Sequence, residues 1–90
     1  MPEANVILVN PLGLHARAAA KIVRLANEFE SVISIMRPNR DRYADARSIL
    51  GILELGAKQG TELIIEATGR DEISALEALK QLIVEGFGEV

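Results

Sequence analysis

The chain predicts an α+β domain: a four-stranded sheet, mixed or antiparallel, covered by helices on one face and built in the order βαββαβα. Three observations carry this prediction. Apolar runs with strand character alternate with segments whose apolar residues recur at helical spacing. Two of the runs are joined by the tight turn signal Pro38-Asn39-Arg40-Asp41, which makes them a hairpin. The helical segments lie between strands instead of forming one block, so they are expected to pack together against the sheet.

Each element has its own signal. Asn5-Val6-Ile7-Leu8-Val9 reads as a buried strand, broken by Asn10-Pro11-Leu12-Gly13. From Ala16 to about Phe29, the residues Ala18, Ala19, Ile22, Leu25, Ala26 and Phe29 fall at helical spacing, with Arg17, Lys21, Arg24 and Glu28 on the wetter side. Ser31 to Met36 alternates and suits a second strand, and Arg42 to Asp45 is the short return strand of the hairpin. Ser48 then opens a brief apolar helix, Ile49 to about Leu55, which Gly56 terminates. Thr61 to Thr68 is the fourth strand, centred on Leu63, Ile64 and Ile65. Gly69-Arg70-Asp71 leads into a last helix from Glu72 to Glu85, with Ile73, Leu76, Leu79, Leu82 and Ile83 on its apolar side. Gly86 and Gly88 are expected to loosen the C-terminus.

Composition narrows the function classes. Ninety residues make one small domain, 1–90, with a net charge of −3 and 49% hydrophobic residues. A chain this short buries about 60–65% of its unfolded surface, enough for an adequate core. The aromatics are only Phe29, Tyr43 and Phe87, too few for base stacking, so no nucleic acid is expected as a partner. Without cysteine there is neither a disulfide framework nor a thiolate metal site, and a single histidine makes a poor ligand set, so no metal is expected. No basic segment leads into an apolar stretch at the start, and no apolar run approaches the roughly 18–20 residues of a membrane span. The expectation is a soluble, cytoplasmic domain with no membrane contact. Charge is uneven: residues 1–47 carry seven basic and five acidic side chains, residues 48–90 three and eight. Arg37, Arg40, Arg42 and Arg47 crowd one connecting region, either as a solvated mixed surface or as a basic face for a phosphate or an acidic protein.

His15, the only histidine, sits where a glycine-containing turn meets the start of the first helix, in Gly13-Leu14-His15-Ala16-Arg17-Ala18. There it lies beside backbone N–H groups with no partner inside the helix. The partial positive charge of that helix end and the full charge of Arg17 disfavour a protonated ring and favour a bound dianion. The combination suits a histidine that accepts a phosphoryl group and hands it on.

Gly13-Leu14-His15-Ala16-Arg17 resembles the active segment of HPr, the histidine-containing phosphocarrier family of the bacterial phosphoenolpyruvate-dependent phosphotransferase system. Ala46-Arg47-Ser48-Ile49-Leu50-Gly51-Ile52-Leu53 is similar to the family's second signature, a serine opening a short apolar helix. Ala57-Lys58-Gln59-Gly60 and Ala67-Thr68-Gly69 match the turns around the last strand, so the resemblance covers the whole chain. Asn10-x-Leu12-Gly13-Leu14-His15-Ala16-Arg17 and the longer hairpin look most like NPr, the nitrogen-related version, and proteobacterial HPr proteins near it. The resemblance implies an antiparallel sheet and a phosphoryl acceptor at Nδ1 of His15. It also implies partners in Enzyme I, Enzyme IIA and, where Ser48 is modified, an HPr kinase/phosphorylase. No bound cofactor is implied, and the protein is a reactant in each transfer more than a free-standing enzyme. One departure is Ala18, where many members carry proline; alanine keeps the helix but loses the fixed φ.

Each candidate has an ordinary role beside the functional one. Arg17 is either a solvent-facing helix residue or the guanidinium that pairs with phosphoryl oxygens. Ser48 is a favoured N-cap, worth about 1 kcal/mol, and by resemblance a candidate regulatory phosphorylation site. Ile52 and Leu55 are expected to face the core, which leaves Ile49, Leu50 and Leu53 near the surface as a candidate docking patch. A carrier that docks several partners through one face is expected to be a monomer. Three rivals stand beside the carrier. One is a regulatory docking module whose phosphorylation state is the message. Another is an RNA-binding α/β domain, disfavoured by charge and by the missing aromatics. The last is a hydrolase using His15, which lacks a visible second catalytic group.

Overall fold

The computed structural model describes residues 2–39 and 41–89. Its elements are β1 (Glu3–Ile7), α1 (Ala16–Ala26), β2 (Val32–Met36), β3 (Tyr43–Asp45), α2 (Ile49–Glu54), β4 (Glu62–Thr68) and α3 (Glu72–Val84), followed by a single 3-10 turn, Gly86–Gly88. The four strands form one antiparallel sheet in the order β1-β4-β2-β3. This is the α+β fold the element order predicts.

Strand alternation decides which face is covered. Val6, Ile33, Ile35, Ala44, Leu63, Ile65 and Ala67 share one face and are buried beneath the helices. Glu3, Ser34, Asp45 and Glu66 lie in register on the other, open face. Helix α1 presents Ala18, Ala19, Ile22 and Ala26 to the core. Three small residues of four let the helix lie close, and Ile22 supplies the bulk, worth roughly 2–3 kcal/mol on full burial. Helix α3 buries Ala75, Leu76, Leu79 and Ile83. Ile73, placed on that side by spacing, is instead exposed, and Leu82 is only half-buried.

Several boundaries differ from the sequence reading by one to three residues. Strand β1 runs two residues earlier than the apolar stretch, its ladder pairing Glu3 to Ile7 with Glu66 to Glu62 of β4, and within the stretch Ile7 and Val9 are exposed while Val6 and Leu8 are buried. Leu8 leaves the ladder but stays buried, bonded through Leu8 N to Thr61 O at 3.0 Å and Gly60 N to Leu8 O at 2.7 Å. Helix α1 stops at Ala26, three residues short of Phe29, and the Arg47 guanidinium takes the freed carbonyls of Ala26 and Phe29. Helix α3 ends at Val84.

The C-terminus differs as well: it is docked instead of loose. Gly86, Phe87 and Gly88 have φ of 66°, 58° and 76°, three successive left-handed residues. The flanking glycines adopt this at little cost, so the strain falls on Phe87 alone. Burial of its ring, 1% exposed in the main core, offsets that strain.

Candidate functional site

The loop before α1 is shaped around Gly13. Its φ is +61°, and an added Cβ would lie 2.6 Å from Ala57 O, so both conformation and space demand glycine. Leu14 N donates to Ala57 O at 3.1 Å, anchoring the loop to the connection before β4. Asn10, fully buried, donates through Nδ2 to Gly13 O at 2.9 Å and so braces the turn from inside.

This scaffold sets His15 as the N-cap of α1, with extended backbone at φ −81° and ψ 177° and no side-chain cap. Among the described residues, the N–H groups of Ala16, Arg17 and Ala18 have no acceptor, and no acidic side chain lies in the first turn. Three donors and the positive helix end therefore face the imidazole, the arrangement that accommodates a phosphoryl group. Arg17 is exposed and, among the described residues, its guanidinium is unpaired. The ring itself is partly covered, with 24% of the side chain exposed, by a residue the sequence reading passed over. Its Nε2 lies 2.5 Å from Oε2 of Glu89. Asn10 Nδ2 also donates to Oε1 of Glu89 at 3.0 Å, and Lys21 Nζ donates to Phe87 O at 2.6 Å. The Asn10 amide is the main influence holding the Glu89 carboxyl below the usual carboxylate range. His15 and Lys21 act the same way, against a desolvation that raises it.

Ser48 caps α2, its Oγ accepting from Gly51 N at 3.0 Å. Ile52 and Leu55 are buried, whereas Ile49 is 42% exposed, Leu50 74% exposed, and Leu53 half-buried. Helices α1 and α2 pack against each other. Leu12, in the His15 loop, is exposed as well and was not singled out from sequence.

The arginine cluster has a structural role. Arg37 Nη1 donates to Leu55 O at 2.9 Å and Arg42 Nη1 to Glu54 O, so both serve the C-terminal end of α2, while Arg47 serves that of α1. These are the helix ends where cations are favoured. Arg40 lies outside the described residues. A cleft of about 510 Å³ between β3 and α2 is lined by Asp41, Arg42, Tyr43, Gly51, Glu54 and Leu55 and does not include His15.

The sequence matches the family described as "PTS HPr component phosphorylation site" over residues 2–85. The chain belongs to the HPr family of phosphocarrier proteins. The HPr of Cupriavidus necator is 42% identical over 89 residues, covering 99% of this chain and 98% of that protein. Pseudomonas aeruginosa HPr is 39% identical over the same coverage. A crystal structure of HPr from Thermoanaerobacter tengcongensis superposes with a TM-score of 0.92 at 41% identity, covering 100% of this chain and 99% of that one. A second structure from that organism, at 40% identity and a TM-score of 0.76 with 99% of this chain and all of that chain covered, is of an HPr dimer. In HPr terms, the match takes in both the His15 and the Ser48 segments, while the residues that cover His15, from Phe87 to Glu89, lie beyond it.

The signal that would have found Glu89 was present. A large apolar residue flanked by glycines, Gly86-Phe87-Gly88, is a docked turn as readily as a frayed end, and the residue after it then has a fixed position.

Proposed function

We propose that His15 accepts a phosphoryl group from phosphorylated Enzyme I, itself charged by phosphoenolpyruvate, and passes it to an Enzyme IIA protein. The observation that carries this reading is the histidine at a helix N-terminus facing three N–H groups that are unpaired among the described residues. Those donors bind the three phosphoryl oxygens without prior reorganisation, which lowers the barrier in both directions of transfer. Arg17, unpaired among the described residues, neutralises the charge that accumulates while the group is shared between two proteins. Because each transfer must be followed by release, a modest docking surface suits the task, and Ile49, Leu50 and Leu53 supply the apolar part of it.

Ser48 is proposed as a regulatory phosphorylation site for an HPr kinase/phosphorylase. Its hydroxyl is already at a helix start, where a phosphate is electrostatically tolerated, and the added charge would repel an acidic partner. The protein is proposed to act as a cytoplasmic monomer, since self-association through α2 would cover the patch. The nitrogen-related branch, suggested by the Asn10–Arg17 segment, is decided by which Enzyme IIA discharges the protein.

The deciding experiment incubates the protein with phosphoenolpyruvate, Mg²⁺ and an active cognate Enzyme I, followed by intact mass and ³¹P NMR. An acid-labile phosphoryl group lost in His15→Ala supports the carrier. Absence of label with a demonstrably active Enzyme I rejects it and favours the docking module, which pull-downs with wild type and His15→Ala would then test.

A further inference from the structure

Glu89 is held from several directions at once. The left-handed turn with the buried Phe87 ring fixes the chain just before it, and Lys21 ties down Phe87 O at 2.6 Å. Asn10, with no exposed surface, holds Oε1 at 3.0 Å. The orientation of the Asn10 amide is dictated: Nδ2 faces two acceptors, Gly13 O and Glu89 Oε1. Turning it over would set Oδ1 against both. As it stands, Oδ1 is buried with no partner among the described residues. The other carboxylate oxygen, Oε2, is thereby aimed at Nε2 of His15 at 2.5 Å.

An ionised carboxylate only accepts hydrogen bonds, so the hydrogen of this contact sits on Nε2. A neutral imidazole has one N–H, and with it on Nε2 the lone pair is on Nδ1. We infer that Glu89 is a positioning residue for phosphoryl transfer, fixing the His15 tautomer so that Nδ1 is the nucleophile and Nε2 is covered, with Asn10 fixing Glu89 in turn. The inference rests on the reading of His15 as phosphoryl acceptor and goes beyond it by assigning the cause of the choice of nitrogen. In the step itself the Nδ1 lone pair forms the N–P bond as the donor's bond to phosphorus breaks. The electron pair of the broken bond leaves with the donor, and the Nε2 proton stays in place. The positive charge that develops on the ring meets the Glu89 carboxylate across Nε2–H. A carboxylate that fixes a histidine tautomer without itself taking the proton is an established device in catalysis.

Glu89→Gln separates this role from mere packing. Glutamine has the size of glutamate but one acceptor and one donor group. Asn10 Nδ2 requires an acceptor, which turns the glutamine NH₂ toward Nε2. Nε2 then accepts, and the ring proton moves to Nδ1, where it blocks attack. Glu89→Ala frees the ring without imposing the wrong tautomer. Wild type, Glu89→Gln and Glu89→Ala, labelled with ¹⁵N, are compared by long-range ¹H–¹⁵N correlation of the imidazole at about pH 9, where an ordinary imidazole is neutral. Phosphorylation rates with phosphoenolpyruvate and Enzyme I are measured alongside, and circular dichroism verifies that all three are folded. The expected result is Nε2–H in wild type and a shift toward Nδ1–H in Glu89→Gln. The rate should fall on the order of tenfold in Glu89→Gln and by less in Glu89→Ala, the scale of a charge-assisted hydrogen bond in a partly exposed site. An unchanged tautomer in Glu89→Gln, or rates of the two variants in the opposite order, overturns the inference. Wild type that takes no label from an active Enzyme I rejects the carrier reading instead, and the tautomer measurement still decides the role of Glu89 because it needs no transfer.

Discussion

Replacing Phe87 tests whether the C-terminal turn belongs to the cooperative fold. The ring is 1% exposed and packs in the main core. Truncation of a buried phenylalanine to alanine costs about 3–5 kcal/mol where the whole fold shares the loss. The backbone adds a second, opposing feature. At φ 58° an alanine keeps the left-handed strain, whereas glycine relieves about 1 kcal/mol or more of it. Phe87→Gly should therefore be the more stable of the two variants, the reverse of the usual order. Urea unfolding followed by circular dichroism at 222 nm gives both quantities. With a slope of about 1–1.5 kcal/mol/M for a domain of this size, the Phe87→Ala midpoint should fall by roughly 2–5 M. A loss below about 1 kcal/mol would mean that the turn opens on its own, since local opening caps the cost of any change within it. Phe87→Ala more stable than Phe87→Gly would refute the strain argument.

The remaining predictions concern the site and its supports. Arg17→Ala should leave thermal unfolding unchanged and slow phosphoryl acceptance about 10²-fold; wild-type kinetics in the folded variant would remove Arg17 from the transfer step. Leu50→Asp with Leu53→Asp should weaken binding to Enzyme I by about tenfold or more in calorimetric titration while the fold persists, whereas Ile52→Asp, at a fully buried position, should fail to fold. Ser48→Ala should cost about 1 kcal/mol in urea unfolding through loss of the cap on Gly51 N, and Ser48→Asp, which keeps an acceptor, should cost less. The Asp71 carboxyl is held below its ordinary value of 3.8, first by the Ser31 hydroxyl and then by the N–H groups of Glu30 and Ser31. Its contribution is thus present above the unfolded value and lost as pH falls through the lower folded one. Unfolding midpoints taken from pH 5 to pH 2 should fall less steeply in Asp71→Asn; equal slopes would show that other carboxylates govern acid stability.

Elements with one strong local signal were legible in the sequence. The alanine-rich face of α1, the alternation in β2 and the serine before α2 each pointed to the observed element, because local spacing and local capping determine them. Boundaries failed where a distant group decides. Nothing within Asn27 to Phe29 announces that Arg47, about a fifth of the chain away in the sequence, takes the carbonyls of Ala26 and Phe29 and lets α1 end early. The apolar run Val6 to Val9 hid a one-sided strand, since hydrophobicity does not distinguish a residue on the open face from one in the core. The same limit explains the arginine cluster, whose members look like a surface patch until the helix ends they serve are folded beside them.

His15 and Arg17 stood out because a helix start and its charge are local properties, but the surroundings of the imidazole are not. Asn10, read from sequence as a strand breaker and part of the resembling segment but given no role at the site, is its buried centre, and Glu89 reaches the ring from far along the chain. The two halves of the site are therefore of different origin. The open N–H groups come with any uncapped helix and prepare the place where charge arrives. The carboxylate comes from tertiary packing and acts on the ring atom that does not react. A substitution that undocks Phe87 should for this reason leave the phosphoryl cradle intact while releasing the imidazole, so that its effect on transfer follows that of Glu89→Ala and not that of Arg17→Ala.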